Sequence, residues 1–274
     1  MHFKIISIKD IIVYKLIMIS FLFIVKSSFG IEQYTAHGGP VKGLAVSTNN
    51  QLMASASFDY SVVVWDLNPI KEKITLIGHD AAVNAVRFSP ANDFLVSGGD
   101  DNNVLLWSLN DINRGNEEIE PIRLGNHRGK IADLEFSKNG RYLLSASWDG
   151  TVGVWDLKER KKINSLVGHK GPVYSVQYSN DNKYIYSSGS DGEIKLWKAN
   201  NGEYVRPLIK NGWGISKFEV DEKQNFIAFG STDGQIKINK FDQDETILTI
   251  KEDRVPILSM YYLEKENMIG KQIQ

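Results

Sequence analysis

IADLEFSKNGRYLLSASWDGTVGVWD, residues 131–156, reads as three short strands separated by two tight turns. Residues 131–136 alternate apolar and polar side chains, and Lys138-Asn139-Gly140 is turn chemistry. Residues 142–147 make a second apolar run, Asp149-Gly150 turns again, and 151–155 is a third run. Such a meander cannot cover its own apolar faces, so it needs copies of itself on either side.

The copies are present at a fixed spacing. Trp65, Trp107, Trp155 and Trp197 close the third strand at steps of 42, 48 and 42 positions. Asp59, Asp101, Asp149, Asp191 and Asp233 sit in the second turn with the same steps, and His37, His79, His127 and His169 stand ahead of the first strands. Asn211 and Asp253 occupy the next two histidine slots. A period near 42 with four strands per unit is the mark of β-propeller blades.

With Gly78-His79, Gly168-His169, Trp65-Asp66 and Trp155-Asp156, the chain closely resembles the WD-repeat family over about residues 31–262. The resemblance implies an all-β fold, a β-propeller of four-stranded antiparallel blades. Blades are expected at 41–77, 83–124, 131–167, 173–208 and 215–250, with a partial sixth at 257–274. In this family the first strand of the chain completes the last blade, a role that falls to residues 31–36. Seven such blades would need roughly 294 residues, so an incomplete, open ring is expected, its missing blades supplied by another chain or lost by truncation. The six extra residues of blade two, around 110–120, carry Asp111, Glu117, Glu118 and Glu120 and read as a solvated insertion rather than an acidic docking site.

Ser55, Ser97, Ser145 and Ser187 each stand four residues before the turn aspartate. In blade five the serine, histidine and tryptophan slots hold Phe229, Asn211 and Asn239, so the three types disappear together. That joint loss points to one hydrogen-bond network per blade, in which aspartate accepts from histidine, histidine meets the serine hydroxyl, and the hydroxyl meets the indole N–H. The family's structural tetrad is similar. It maps to His37, Ser55, Asp59 and Trp65; His79, Ser97, Asp101 and Trp107; His127, Ser145, Asp149 and Trp155; and His169, Ser187, Asp191 and Trp197. A Ser-His-Asp catalytic triad uses the same residue types, but four equivalent copies argue for something that each blade needs to hold together. Histidines spread one per blade cannot converge on one metal. The expectation is no enzyme, no metal and no cofactor.

At 42% hydrophobic and 24% charged, the 274 residues have an ordinary globular composition. A formal charge of −1 exerts no global pull on nucleic acid, and no nucleic-acid partner is expected. The absence of cysteine excludes disulfides, thiolate chemistry and covalent c-type haem within this chain. Residues 1–30 lie outside the repeat. Lys4, Lys9 and Lys15 precede a ten-residue apolar run at 16–25, and Ser28-Phe29-Gly30 offers a cleavage site. That is the pattern of a signal peptide, too short to span a bilayer, and predicts export to a periplasm with no membrane span after its removal.

In the WD-repeat family, partners are gripped on one face, at positions three and five after the histidine and one before the aspartate. Carried over, the resemblance implies Lys42, Phe58, Asn84, Asp100, Lys130, Trp148 and Tyr174 as contacts for a protein or peptide partner. Phe58, Trp148 and Tyr174 are the strongest, because exposed aromatics near lysines have the composition of an interaction hot spot. The competing reading folds Phe58 and Trp148 over the neighbouring blade. Trp213, in a Gly-Trp-Gly turn, fits either a contact or a plug for the lost tetrad of blade five. A narrower resemblance, carried by HGGPVKGLAVS, ASFDYSVVVWDL, GHDAAVNAV, SGGDD, SASWDGTV and NGWGI, is to bacterial exported WD-repeat proteins with a cytochrome c domain after the propeller. It implies an alternative role as the propeller module of a periplasmic redox protein whose haem domain is absent here.

Overall fold

The computed structural model describes the backbone of residues 2–7, 14–17, 25–27, 30–32, 34–116, 118–223, 225–241, 245–251, 257–263 and 268–273, with side chains from 34 to 251 within these ranges and at 257. Four short strands come first: β1 His2–Ser7, β2 Tyr14–Ile17, β3 Val25–Ser27 and β4 Gly30–Glu32. The first full sheet is β5 Val41–Val46, β6 Leu52–Ser57, β7 Ser61–Leu67 and β8 Ile70–Ile77. The second is β9 Val83–Phe88, β10 Phe94–Gly99, β11 Asn103–Ser108 and β12 Ile122–Asn126, with helix α1 Leu109–Asn113 before its last strand. The third is β13 Ile131–Phe136, β14 Tyr142–Ser147, β15 Thr151–Asp156 and β16 Lys161–Val167. The fourth is β17 Val173–Tyr178, β18 Tyr184–Gly189, β19 Glu193–Lys198 and β20 Tyr204–Lys210. The fifth is β21 Ile215–Asp221, β22 Phe226–Ser231, β23 Gln235–Lys240 and β24 Thr246–Lys251. Then come β25 Ile257–Leu263 and β26 Met268–Ile273.

Each of the five sheets is an antiparallel meander in which sequential strands are neighbours. The chain divides into two compact units. Residues 20–167 hold the first three sheets, and residues 1–19 with 168–274 hold the others.

Within each unit, one sheet stacks on the next through the same two kinds of face. One face of the first sheet, with Ala54, Ala56, Val62, Val64 and Leu76, packs on Val86, Phe88 and Trp107 of the second. The second sheet repeats the arrangement by laying Val96, Val104 and Leu106 on Leu134, Phe136 and Trp155 of the third. In the other unit, Tyr186, Ile194 and Leu196 meet Phe218, Val220 and Phe229. The central strands β6, β10, β14, β18 and β22 are buried almost throughout, and they carry apolar and small residues rather than an alternation of apolar and charged ones.

Two expectations about the chain ends are corrected. Residues 31–36 do not act as a closing strand: β4 pairs with β3 in a two-stranded hairpin. Tyr34 and Ala36 instead cover the tryptophan side of the first sheet, packing against Met53, Val63 and Trp65, which that stacking pattern would otherwise leave open. The partial sixth blade gains two strands, because β1 pairs with β26 and the order β2-β1-β26-β25 makes a further four-stranded sheet. An unpaired β26 edge would expose a row of backbone donors and acceptors, and the first residues of the chain supply the partner. Of the expected leader, residues 18–24 of the apolar run and 28–29 of the cleavage site lie outside the described residues, as do Asp253 and the turn at 264–267.

The insertion of blade two is exposed over most of its length, as expected, but a short helix anchors it. Leu109 and Ile112 of α1 are buried and join the core between the first two sheets, with Ile119 packed beside them. The helix is short, capped by the Ser108 hydroxyl, and leaves Asp111 half exposed beside Arg114. Its apolar residues decide its place, and its acidic ones sit at the rim.

The central strands also bury serines, and one of them lacks a hydrogen-bond partner among the described residues. It is Ser188, fully buried on β18. The repeat places Ala56, Gly98, Ala146 and Gly230 at the same point. An unsatisfied buried hydroxyl costs about 1–3 kcal/mol, so Ser188→Ala is expected to raise stability by about 1 kcal/mol in urea denaturation. A loss of stability would show that the hydroxyl has a partner.

Candidate functional site

The residues that carry chemistry gather at one end of each sheet, where the loop bearing the histidine meets the turn bearing the aspartate. In the first sheet His37 Nδ1 lies 3.0 Å from Asp59 Oδ2, and its Nε2 lies 2.7 Å from Ser55 Oγ. Trp65 Nε1 donates to the same hydroxyl at 2.9 Å. The second sheet gives 2.8, 2.7 and 2.8 Å for His79–Asp101, His79–Ser97 and Trp107–Ser97. The third gives 2.8, 2.7 and 2.8 Å for His127–Asp149, His127–Ser145 and Trp155–Ser145. The fourth gives 2.9, 2.8 and 2.8 Å for His169–Asp191, His169–Ser187 and Trp197–Ser187.

The carboxylate can only accept, so histidine Nδ1 carries a proton and donates to it. In the neutral ring Nε2 then accepts the proton of the serine hydroxyl, whose oxygen accepts from the indole, which can only donate.

Backbone amides complete the carboxylate shells. Asp59 accepts from Gly38 N at 2.7 Å and from Ser61 N at 3.0 Å. Arg128 N and Thr151 N do the same for Asp149, at 2.9 and 3.0 Å. Burial alone would raise these carboxyls, but the donors outweigh it. Ser61 and Gly38 hold Asp59 down to about 2, His79 and Asn103 hold Asp101 at about 2, and Thr151 and Arg128 hold Asp149 at about 2. Asp191 is likewise held well below the usual carboxylate range despite its burial, chiefly by His169. The loop and the turn are thereby clamped together.

This geometry suits a clamp and not a nucleophile. All four serines are at most 1% exposed, and each hydroxyl is already engaged by indole and imidazole. A carbon added at Gly153 would sit 2.6 Å from Ser145 Oγ and 2.7 Å from His127 Nε2. There is no room on that side for a carbonyl to approach.

The fifth sheet builds a different corner. Lys237 Nζ donates to Asn211 Oδ1 at 2.9 Å, Asn211 Nδ2 donates to the Trp213 carbonyl at 2.9 Å, and Gln235 Nε2 donates to Asp233 Oδ2 at 2.6 Å. Phe229 and Asn239 are buried where serine and tryptophan stand elsewhere. Trp213 is 60% exposed, so it does not plug this corner.

At the same sheet ends, the expected contact residues fall into two groups. Phe58 is 52% and Trp148 49% exposed, so neither is folded away over a neighbouring sheet. Lys42 is exposed and Tyr174 half-buried, each at the start of its own inner strand. Asn84, Asp100, Lys130 and Trp148 are brought together. Asn84 Nδ2 donates to Asp100 Oδ1 at 2.8 Å and to the Ile131 carbonyl at 3.0 Å. Lys130 Nζ reaches Asp100 Oδ2 at 2.5 Å and lies 5.4 Å from the centre of the Trp148 ring. The lysine thus props an indole that keeps about half its surface in solvent.

Tyr60 escaped the sequence reading. It follows the turn aspartate, where Asn102, Gly150, Gly192 and Gly234 stand in the other sheets, and all five have φ between 67° and 85°. The left-handed region suits glycine and asparagine but costs an ordinary side chain about 1–2 kcal/mol. At 48% exposed, Tyr60 does not offset that through burial. A tyrosine in a column of Asn and Gly was the available signal. Among the described residues no cluster of three or more His, Cys, Asp or Glu is arranged to hold a metal ion, and no helix is long and apolar enough to cross a membrane.

Comparison with known proteins agrees with this architecture. The WD domain, G-beta repeat model matches residues 30–66, 70–108, 120–156 and 160–198, each span ending near one of the four tetrad tryptophans. The chain is 30% identical over 136 residues to human WD repeat-containing protein 36, covering 48% of this chain and 14% of that protein. It is 26% identical over 141 residues to the U3 small nucleolar RNA-associated protein 21 homolog of Schizosaccharomyces pombe, covering 52% and 15%. To the nuclear distribution protein PAC1 of Arthroderma otae it is 31% identical over 127 residues, covering 44% and 25%. The chain thus matches between about a seventh and a quarter of the length of these relatives. They are eukaryotic WD-repeat proteins, and they lend no support to the expected kinship with cytochrome-bearing bacterial proteins. Four matched repeats covering more than half of the chain, each with its Asp-His-Ser-Trp clamp, place it in the WD-repeat family.

Proposed function

We propose that this chain is a non-catalytic scaffold that binds a protein or peptide partner at the clamped ends of its sheets. The observation that carries this is the exposure of large aromatics, Phe58, Tyr60 and Trp148 on turns at the clamped ends and Trp213 at the unclamped corner of the fifth sheet. Solvent-facing aromatics on rigid loops are the usual anchors of interfaces. The clamps supply the rigidity, since every loop and turn that presents an aromatic in the first and third sheets is bonded through Asp59 or Asp149. WD-repeat proteins typically serve as interaction scaffolds, which fits.

The test uses a photo-crosslinking phenylalanine analogue at position 148 or 213, with position 138 in the opposite turn of the third sheet as control. In the native host, defined adducts are expected from 148 and 213 and not from 138. Adducts from 138 alone, or none at all, would sink the reading. In parallel, Phe58→Ala with Trp148→Ala should change stability by less than about 1 kcal/mol, as expected of surface positions. A large fall in melting temperature would mean that the rings serve packing.

A further inference from the structure

We propose that Asn211 is a self-modifying site, converted to aspartate in the folded chain by attack of the Gly212 backbone nitrogen on its side chain, with the Lys237 ammonium activating the amide. The inference is independent of the scaffold reading. It concerns the corner of the fifth sheet, where Asn211 stands in the histidine slot.

The chain has three Asn-Gly pairs, at 139–140, 201–202 and 211–212. A glycine after asparagine puts no side chain in the way when its nitrogen closes on the side-chain carbonyl carbon, so each pair is chemically competent. In two of them the nucleophile is tied down. Gly140 N donates to the Ser137 carbonyl and Gly202 N to the Lys198 carbonyl, both at 2.8 Å. Gly212 N has no hydrogen-bond acceptor among the described residues, and nothing lies within 4 Å of where a Gly212 side chain would begin.

The electrophile differs as well. Neutral donors meet the other two side chains: Ser137 Oγ and Arg141 N at Asn139 Oδ1, and Glu203 N at Asn201 Oδ1. Asn211 Oδ1 accepts from the Lys237 ammonium at 2.9 Å. A charged donor draws more electron density from the carbonyl carbon and stabilises the oxyanion that forms as nitrogen attacks. Lys237 is half-buried and no carboxylate pairs with it among the described residues, so its charge acts on this amide.

The reaction needs only water. The bond from Gly212 N to Asn211 Cγ forms as that nitrogen gives its proton to solvent, the Cγ–Nδ2 bond breaks, and the side-chain nitrogen leaves as ammonia. Water then opens the succinimide by breaking one imide C–N bond, which yields aspartate or isoaspartate and restores the backbone N–H. An aspartate carboxylate at this point pairs with Lys237. It cannot donate to the Trp213 carbonyl, which Asn211 Nδ2 holds at 2.9 Å, so conversion releases the turn that presents the exposed Trp213 indole.

Prolonged incubation of the full chain at mildly alkaline pH, with peptide mass mapping of the one-dalton gain at each pair, tests this. Conversion at 211 is expected to outrun that at 139 and 201. Lys237→Leu should slow it about tenfold, by removing the donor to the developing oxyanion, and leave the other two pairs unchanged. Leucine suits the position, since Val63 and Leu105 stand at the same point of the first two sheets. Gly212→Ala, which meets no clash, should slow conversion at 211 with the melting temperature level. Conversion at 139 or 201 as fast as at 211, an undiminished rate at 211 in Lys237→Leu, or an undiminished rate in Gly212→Ala would each overturn the proposal. A rise at all three pairs together in Lys237→Leu would report loss of the fold, and the parent chain and Gly212→Ala then decide.

Discussion

Trp107→Ala is expected to remove about 4–5 kcal/mol of stability in urea denaturation, the largest effect of any single substitution considered for this chain. Two losses combine. The indole is fully buried in the core between the first and second sheets, and its far edge reaches the backbone of Gly78, where an added carbon would stand 2.9 Å from Cη2. Its removal opens a cavity that rigid strands on both sides cannot close. It also takes away the donor to Ser97 Oγ, leaving a buried hydroxyl with one partner fewer. Trp107→Phe separates the two. It keeps most of the ring in place and removes the N–H, so about 1–2 kcal/mol is expected. Were Trp107→Ala to cost under 2 kcal/mol, the clamp could not be what holds the second sheet's corner, since surface substitutions such as Trp148→Ala approach that range only rarely.

The clamps were legible in the sequence because four residue types recur at one period and vanish together in the fifth repeat. Phe58 and Trp148 were legible as surface residues through their place before the turn aspartate. What stayed hidden depended on neighbours that no period encodes. The insertion at 110–120 was judged by its acidic residues, yet Ile112 within it and Leu109 just before it fix its place by burying themselves. Residues 34–36 were expected to pair as a strand, but an uncovered tryptophan face nearby made packing by Tyr34 and Ala36 the better use of them. Pairing of β1 with β26 joins residues some 260 positions apart in the chain, and nothing local announces it. The left-handed turn position was visible as a column of Asn and Gly. Tyr60 broke the column, and only its φ showed what that meant.

Acid is expected to unfold the protein through the clamps, in two stages that run in the same direction. His127 is buried and neutral. Burial disfavours its charged form, the Lys162 ammonium adds to that, and together they outweigh Asp149 and hold its pKa below the ordinary value of 6.5. A histidine depressed in the folded state contributes stability that is present above 6.5 and is lost as pH falls below it. Protonation would also place a second donor against Ser145 Oγ, which already accepts from Trp155, and so reverse the bond on which the chain depends. The carboxylates form the second stage. Asp59, Asp101 and Asp149 are held at about 2, against 3.8 ordinarily, so their contribution is intact above about pH 4 and is lost between about 4 and 2. Each is worth about 1–2 kcal/mol once partial exposure is allowed for. Chemical denaturation from pH 7.5 to 2.5 should therefore show a shallow decline below 6.5 and a steeper one below 4. Hydrogen exchange should show β6, β10 and β14 losing protection across the lower window before β22, whose sheet has no histidine clamp. A stability maximum near pH 5 would mean instead that protonated histidine pairs with the aspartate as an ion pair. The neutral chain running from indole to carboxylate would then be the wrong description of how these blades are held.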